Sequence, residues 1–326
     1  MTHFFRIDRF VVLICVFLIS CNGINTEKTT GNSTTEPEYL IAYNVLVDEE
    51  SDDYDIFTMK LDGSEKTNIT ANPDVAWTYL AIHEKIMFIS DRDTARRNFF
   101  LYEMDADGSN IKKVNDFMLS DSWMGFRKNG EEIIVLPHVK TDSLFYIINR
   151  QGRILKKIAT GLVYSADPAF SPDGSQIVFR GANKKSKREE NFEDALYIIN
   201  DDGTGLLKLT QYPESDTTAP WYAYKAGPPQ WHPTQNFISF ASFRNGKYRL
   251  FAVSPEGKDL GQLIHLEFSI TYHCWSSDGK WLALSLSDVA ETQFNIGLMD
   301  WKTKELKVLT DSTYNYQMAP VIVEAD

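Results

Sequence analysis

Five histidines lie beyond the first eighty residues, His83, His138, His232, His265 and His273, and imidazoles brought together are what a metal-assisted reaction would need. A catalytic metal centre takes at least three converging protein ligands. No two of these histidines have the short spacing that would seat both on one strand or turn. His232 and His273 sit at similar points of a repeating pattern described below, so they are the pair best able to approach a common axis. Carboxylates paired as Asp91/Asp93 and Asp201/Asp202 offer oxygen ligands for calcium. They lack the loop of roughly twelve residues with alternating oxygens, and their neighbours are turn formers. No G-x-S-x-G nucleophile elbow occurs. Cys274 is the lone thiol of the body and reads as a small buried residue.

The other chemistry-bearing residues are suited to contact rather than reaction. Lys184, Lys185, Lys187 and Arg188, with Arg180 before them, form a basic run on a chain whose formal charge is −12. Trp221, Tyr222 and Tyr224 follow in the next long polar stretch. Aromatic side chains beside cations are enriched at interface hot spots, and aromatic planes also stack on sugar rings. A net negative chain repels phosphate backbones, which excludes nucleic acid as the natural partner.

The N-terminal segment is an address. Arg6 and Arg9 precede an apolar run from Phe10 to Ile19 that ends Leu18-Ile19-Ser20-Cys21, the parts of a secretory signal. Ten residues rise only about 15 Å as a helix against a hydrocarbon core of about 30 Å, too short for a permanent span. The string LISC resembles the bacterial lipobox, whose cysteine becomes the acylated first residue after cleavage. That resemblance implies a signal peptide over 1–20, a lipid anchor on Cys21 and a cell-envelope protein of the periplasm or outer membrane. Residues 21–38 are rich in Thr, Ser, Asn and Glu, bury too little apolar surface to order themselves, and are expected to be a tether.

From 39 to 326 the chain repeats. An apolar strand, a turn and a second strand carrying lysines recur at 55–70, 100–114, 144–158, 196–210, 250–264 and 296–310. Gly63, Gly108, Gly152, Gly203 and Gly257 mark five of the turns, where a tight hairpin needs positive φ. A second unit precedes each copy, clearest as DPAFSPDGSQIVF at 167–179 and weaker at 76–90, 121–136, 230–240 and 274–286. Together they make four short strands per repeat, the pattern of a propeller blade. The ends complement each other: 39–47 is a second strand lacking a first, and 314–324 is a first strand lacking a second. The expectation is an all-β, monomeric, six-bladed propeller closed by its C-terminal strand. Trp77, Trp123, Trp231 and Trp275 recur at one repeat position and are expected to pack within blades.

The strings FSPDGSQIVF at 170–179, FISDRD at 88–93 and YEMDADGSNIKKV at 102–114 resemble the WD-like repeats of TolB and its relatives, over residues 39–324. The resemblance implies a TolB-like propeller, here as a lipoprotein form without the N-terminal α/β domain that TolB carries. Its relatives include partner-binding envelope proteins, propellers that gate peptidases and polysaccharide lyases with a histidine-bound metal, and fold does not choose among them. The leading expectation is a cofactor-free, non-enzymatic platform for an envelope protein or a polysaccharide. It would use the loop face that carries Trp221, Tyr222, Tyr224 and the basic run. The alternative is a metal-dependent lyase or hydrolase with His232 and His273 as ligands.

Overall fold

In the computed structural model, residues 38–325 other than 186–191 and 259 are described. Six four-stranded antiparallel sheets stand around an axis. Blade 1 runs outwards from β24 (Gln317–Ala325) through β1 (Glu38–Asp48) and β2 (Asp53–Lys60) to β3 (Thr67–Asn68). Blade 2 is β4 (Ala76–Ile82), β5 (Lys85–Ser90), β6 (Phe100–Asp105) and β7 (Lys112–Lys113), and blade 3 is β8 (Gly125–Arg127), β9 (Glu132–Val135), β10 (Phe145–Asn149) and β11 (Ile154–Ile158). Blade 4 is β12 (Tyr164–Phe170), β13 (Gln176–Ala182), β14 (Ala195–Asn200) and β15 (Leu207–Lys208). Blade 5 is β16 (Gln230–Trp231), β17 (Ile238–Arg244), β18 (Lys247–Val253) and β19 (Gly261–Gln262). Blade 6 is β20 (Ser269–Trp275), β21 (Trp281–Ser287), β22 (Phe294–Asp300) and β23 (Leu306–Val308).

The ring closes as the chain ends imply. β24 pairs with β1 from Glu38↔Ala325 to Val45↔Gln317, so both ends of the propeller share one blade and neither leaves an open inner edge. The middle strands alternate little, because each blade is covered on both faces by its neighbours. Every pair of adjacent blades encloses an apolar layer, such as Ile56, Ile86, Phe88, Met104, Val321 and Val323 between blades 1 and 2. The outer turns seal these layers. Gly108 has φ +84° and faces the Ile69 carbonyl of the preceding blade, and Gly152 has φ +74° and faces the Val114 carbonyl. A Cβ at either would collide with backbone, so these turns demand glycine for contact as well as for conformation.

Side chains also tie inner strands across blade boundaries. Asn44 and Thr78 exchange two bonds, at 3.1 and 2.8 Å, joining blade 1 to blade 2. Asp167 accepts from the Trp123 N–H at 3.0 Å, joining blade 4 to the entry of blade 3. Gln230 donates to the His273 carbonyl at 2.7 Å, joining blade 5 to blade 6. Each amide or carboxylate does for a neighbouring blade what a ladder partner does within one.

Candidate binding site at the propeller axis

Irregularities in the inner strands shape the channel. The ladders of β4, β12, β20 and β24 each shift register once, at Thr78/Leu80, Ala166/Ala169, Ile270/Tyr272 and opposite Ala42/Asn44. Asp167 and Ala319 adopt φ near +56° and +52° at two of these points. A bulge adds a residue to one strand and re-aims the side chains beside it. Here Tyr79, Asp167, Tyr272 and Ala319 all come to line one axial cavity.

Three rings divide the channel. Trp123 stacks on Tyr79 with centroids 4.3 Å apart and on Tyr272 at 4.9 Å. They come from blade 2, the entry to blade 3, and blade 6, so the stack reaches across the ring to the opposite blade. Tyr79 and Trp123 border cavities on both sides. On the face of the β13–β14 and β15–β16 loops lies a vestibule of about 160 Å³. On the other side lies a funnel of about 260 Å³ lined by Phe126, Pro168, Pro229, Trp231, Trp275 and Val321 among others.

Charge concentrates in the vestibule. The Arg180 guanidinium is buried and donates to Asp167, to Asp194 at 2.9 Å and to the Tyr164 hydroxyl at 3.2 Å. It also lies 4.5 Å from the Tyr224 ring centre. Asp121 accepts from the Tyr79 hydroxyl at 2.8 Å. It is accessible to water, yet protein walls surround it, and that desolvation, opposed by the Tyr79 bond, raises its carboxyl above the usual range. Tyr224 and Tyr272 both line the vestibule beside it, and burial raises both phenols.

The described contact residues differ in their settings. Trp221 and Tyr222 are 62% and 55% exposed and meet edge to face at 5.6 Å. Tyr224, by contrast, turns inward as a wall of the vestibule. Lys184 and Lys185 are exposed on the β13–β14 loop. Arg180 does not belong with them, being a buried residue of β13. Lys187 and Arg188 lie outside the described residues, as do Cys21 and both N-terminal segments. The four tryptophans pack as expected, Trp275 within a core layer and half-buried Trp77, Trp123 and Trp231 against one, and Trp77 and Trp123 line the vestibule as well. The sequence reading missed Tyr79, Asp121 and Tyr272 entirely.

The histidines are engaged separately. His273 Nε2 and the Ser239 hydroxyl are 2.7 Å apart between blades 5 and 6. His232 Nδ1 accepts from the Thr234 and Gln235 amides at 3.2 and 3.0 Å, and its ring packs on Trp275 and Phe237. Among the described residues, no group of three or more His, Cys, Asp or Glu could hold a metal ion. The paired aspartates serve loops: Asp91 accepts from the Val75 and Arg97 amides, Asp201 pairs with Arg127, and Asp202 caps Thr204. Burial raises the Cys274 thiol to about 11, which makes it a poor nucleophile at neutral pH.

Both buried histidines should make the fold acid-sensitive. Burial lowers His273 from 6.5 to about 3, and burial with Lys304 nearby lowers His232 to about 4. Between 6.5 and those values the unfolded chain binds protons that the folded chain refuses, so stability is lost as pH falls through that window. His273→Gln retains a partner for Ser239 and removes the titration. Its Tm profile should fall less steeply on the acid side, and an unchanged slope would show that His273 takes up its proton alike in the folded and unfolded chains.

No family model matches the chain. An uncharacterized peptidase of Bacillus subtilis (strain 168), YuxL, is 22% identical over 129 residues, which is 39% of this chain and only 18% of that relative's length. Among solved structures, a putative TolB from Agrobacterium tumefaciens superposes with a TM-score of 0.61 at 14% identity, covering 85% of this chain and 90% of that one. TolB from Acinetobacter baumannii gives 0.63 at 12%, covering 87% and 66%. A chain of Kuenenia stuttgartiensis hydrazine synthase also gives 0.63, at 15%, covering 89% and 47%. At these identities the likeness is one of fold. In fold, the chain is a TolB-like six-bladed β-propeller.

Proposed function

We propose that this propeller is a non-enzymatic binding platform of the bacterial cell envelope, held to a membrane by lipid on Cys21, and that the face carrying the β13–β14 and β15–β16 loops receives an envelope protein. The observation that carries this reading is the Trp221–Tyr222 pair. Two large rings, each more than half exposed, stand edge to face on the face where the vestibule lies. Trp and Tyr are the side chains whose burial most often dominates binding. Exposed Lys184 and Lys185 on the β13–β14 loop would supply orientation and on-rate for an acidic partner surface more than affinity.

The test has two arms. Capture from envelope extracts with wild-type protein should retain specific partners that a Trp221→Ala/Tyr222→Ala variant loses, and an identical partner set would put the interface elsewhere. Metabolic labelling with a fatty acid should mark the wild type and not Cys21→Ala. Equal labelling of both would overturn the anchor.

A further inference from the structure

We infer that the axial vestibule is a binding site for a small organic ammonium cation. Its volume, about 160 Å³, is close to that of a cavity known to hold benzene, roughly 150 Å³, so it suits a molecule of about six to seven non-hydrogen atoms. Half-buried Tyr54, Trp77, Trp123, Tyr224 and Tyr272 supply the walls. Aromatic faces carry negative quadrupole charge and attract a desolvated cation. The same wall already does this within the protein, where the Arg97 guanidinium lies 4.5 Å from the Trp77 centre and that of Arg180 lies 4.5 Å from Tyr224.

Charge selects the sign of the ligand. Two guanidiniums act at the vestibule and both are already paired, Arg180 with Asp167 and Asp194 and Arg97 with Asp52, which leaves the Asp121 carboxylate without a cation in contact. Asp121 has a neutral phenol, Tyr79, as its hydrogen-bond partner and is open to water within the cavity. An anion would meet that carboxylate, while the neighbouring cations, Arg97 and Arg180, are committed to other carboxylates. A neutral molecule would bury it without compensation. An ammonium group would satisfy it while its methyl or methylene groups cover the rings. A metal ion finds no such welcome, because aromatic faces offer no oxygen ligands to complete its shell.

Binding should also depend on pH. The groups that act on Asp121 are Tyr79 from β4, Asp167 from β12, Arg180 from β13 and Arg97 from the β5–β6 loop. Burial dominates them and favours the protonated carboxyl, whereas a bound cation favours the ionised one. Affinity should therefore rise with pH as Asp121 ionises.

Choline is a suitable probe, and 3,3-dimethylbutan-1-ol is its neutral isostere. Calorimetry on the whole protein, with tryptophan fluorescence as a second readout, should show choline binding at least roughly tenfold tighter than the isostere. Asp121→Asn, which keeps an acceptor for Tyr79, should abolish that preference by weakening choline and strengthening the isostere, whose binding no longer buries an uncompensated carboxylate. The Trp221→Ala/Tyr222→Ala variant should bind choline as the wild type does, so failure of the docking face and failure of the cation site are separable. Equal binding of choline and isostere overturns the inference, as does no binding of choline at millimolar concentration. Choline binding that survives Asp121→Asn intact overturns it too.

Discussion

Ending the chain after Tyr316 should abolish folding of the whole propeller rather than fray one blade. The deletion removes β24 and with it the β1 ladder from Glu38↔Ala325 to Val45↔Gln317. Val321, Ile322 and Val323 are 3%, 8% and 0% exposed, and burial of each stabilises by about 1.5–3 kcal/mol. Their loss alone costs about 5–9 kcal/mol, on the scale of the net stability of an ordinary domain. Two blade interfaces are opened at once, since Val321 and Val323 pack towards blade 2 and Ile322 packs in the layer shared with blade 6. Ala319 also gives up its bond to Ser285, one of the ties between blades 6 and 1. β1 is left as a long unpaired edge, so the truncated chain should aggregate and show no cooperative melt. Val323→Asp tests the same point by burying an unpaired carboxylate without shortening the chain, and should lower Tm sharply. A truncation that melts cooperatively near the wild-type temperature would mean that blade 1 is not what closes the ring.

This dependence was legible in the residues, because it follows from strand counting. Turn signals such as Pro172-Asp173-Gly174 and the unmatched segments at both ends carry it without knowledge of any contact. The axial site was not legible in the same way. Alternation along a strand tells which side chains share a face, but a bulge inserts one residue and exchanges the faces beyond it, and nothing in ADPAF marks Asp167 as the residue that turns. Arg180 adjoins a run of lysines in sequence, which groups it with a basic contact loop. In space its partners are Asp167, Asp194 and Tyr224 from three separate segments. Tyr79, Asp121 and Tyr272 come from blades 2, 2–3 and 6, and their meeting requires the closed ring. Local chemistry could be read; convergence at an axis could not.

Arg180→Met should be the most damaging single substitution in the vestibule. The Arg180, Asp167 and Asp194 side chains are 6%, 2% and 1% exposed, so removing the guanidinium strands two buried carboxylates. Breaking such a buried set from one side costs about 3–5 kcal/mol, which for a domain of this size lowers Tm by roughly 5–15 °C. Arg180→Lys should rescue little. The native fork reaches Asp167 through Nε, Asp194 through Nη1 and the Tyr164 hydroxyl through Nη2, and an ammonium cannot span three directions while lying flat on Tyr224. Arg180→Met combined with Asp167→Asn and Asp194→Asn should recover much of the lost stability, because the penalty comes from uncompensated charge rather than from lost attraction. The combined variant separates stability from site geometry. Asp167 also accepts from Trp123, and Asp194 from Lys225 on the loop that carries Tyr224. An asparagine can keep those two acceptors only if its amide nitrogen turns away from them. Tryptophan fluorescence from the Tyr79–Trp123–Tyr272 stack reports whether it does. A restored Tm with a native emission spectrum would show that the three charges are dispensable for building the vestibule. A restored Tm with a shifted spectrum would show that they are what holds the stack across the axis. An Arg180→Met variant as stable as the wild type would mean that the two carboxylates are not buried together as charged groups.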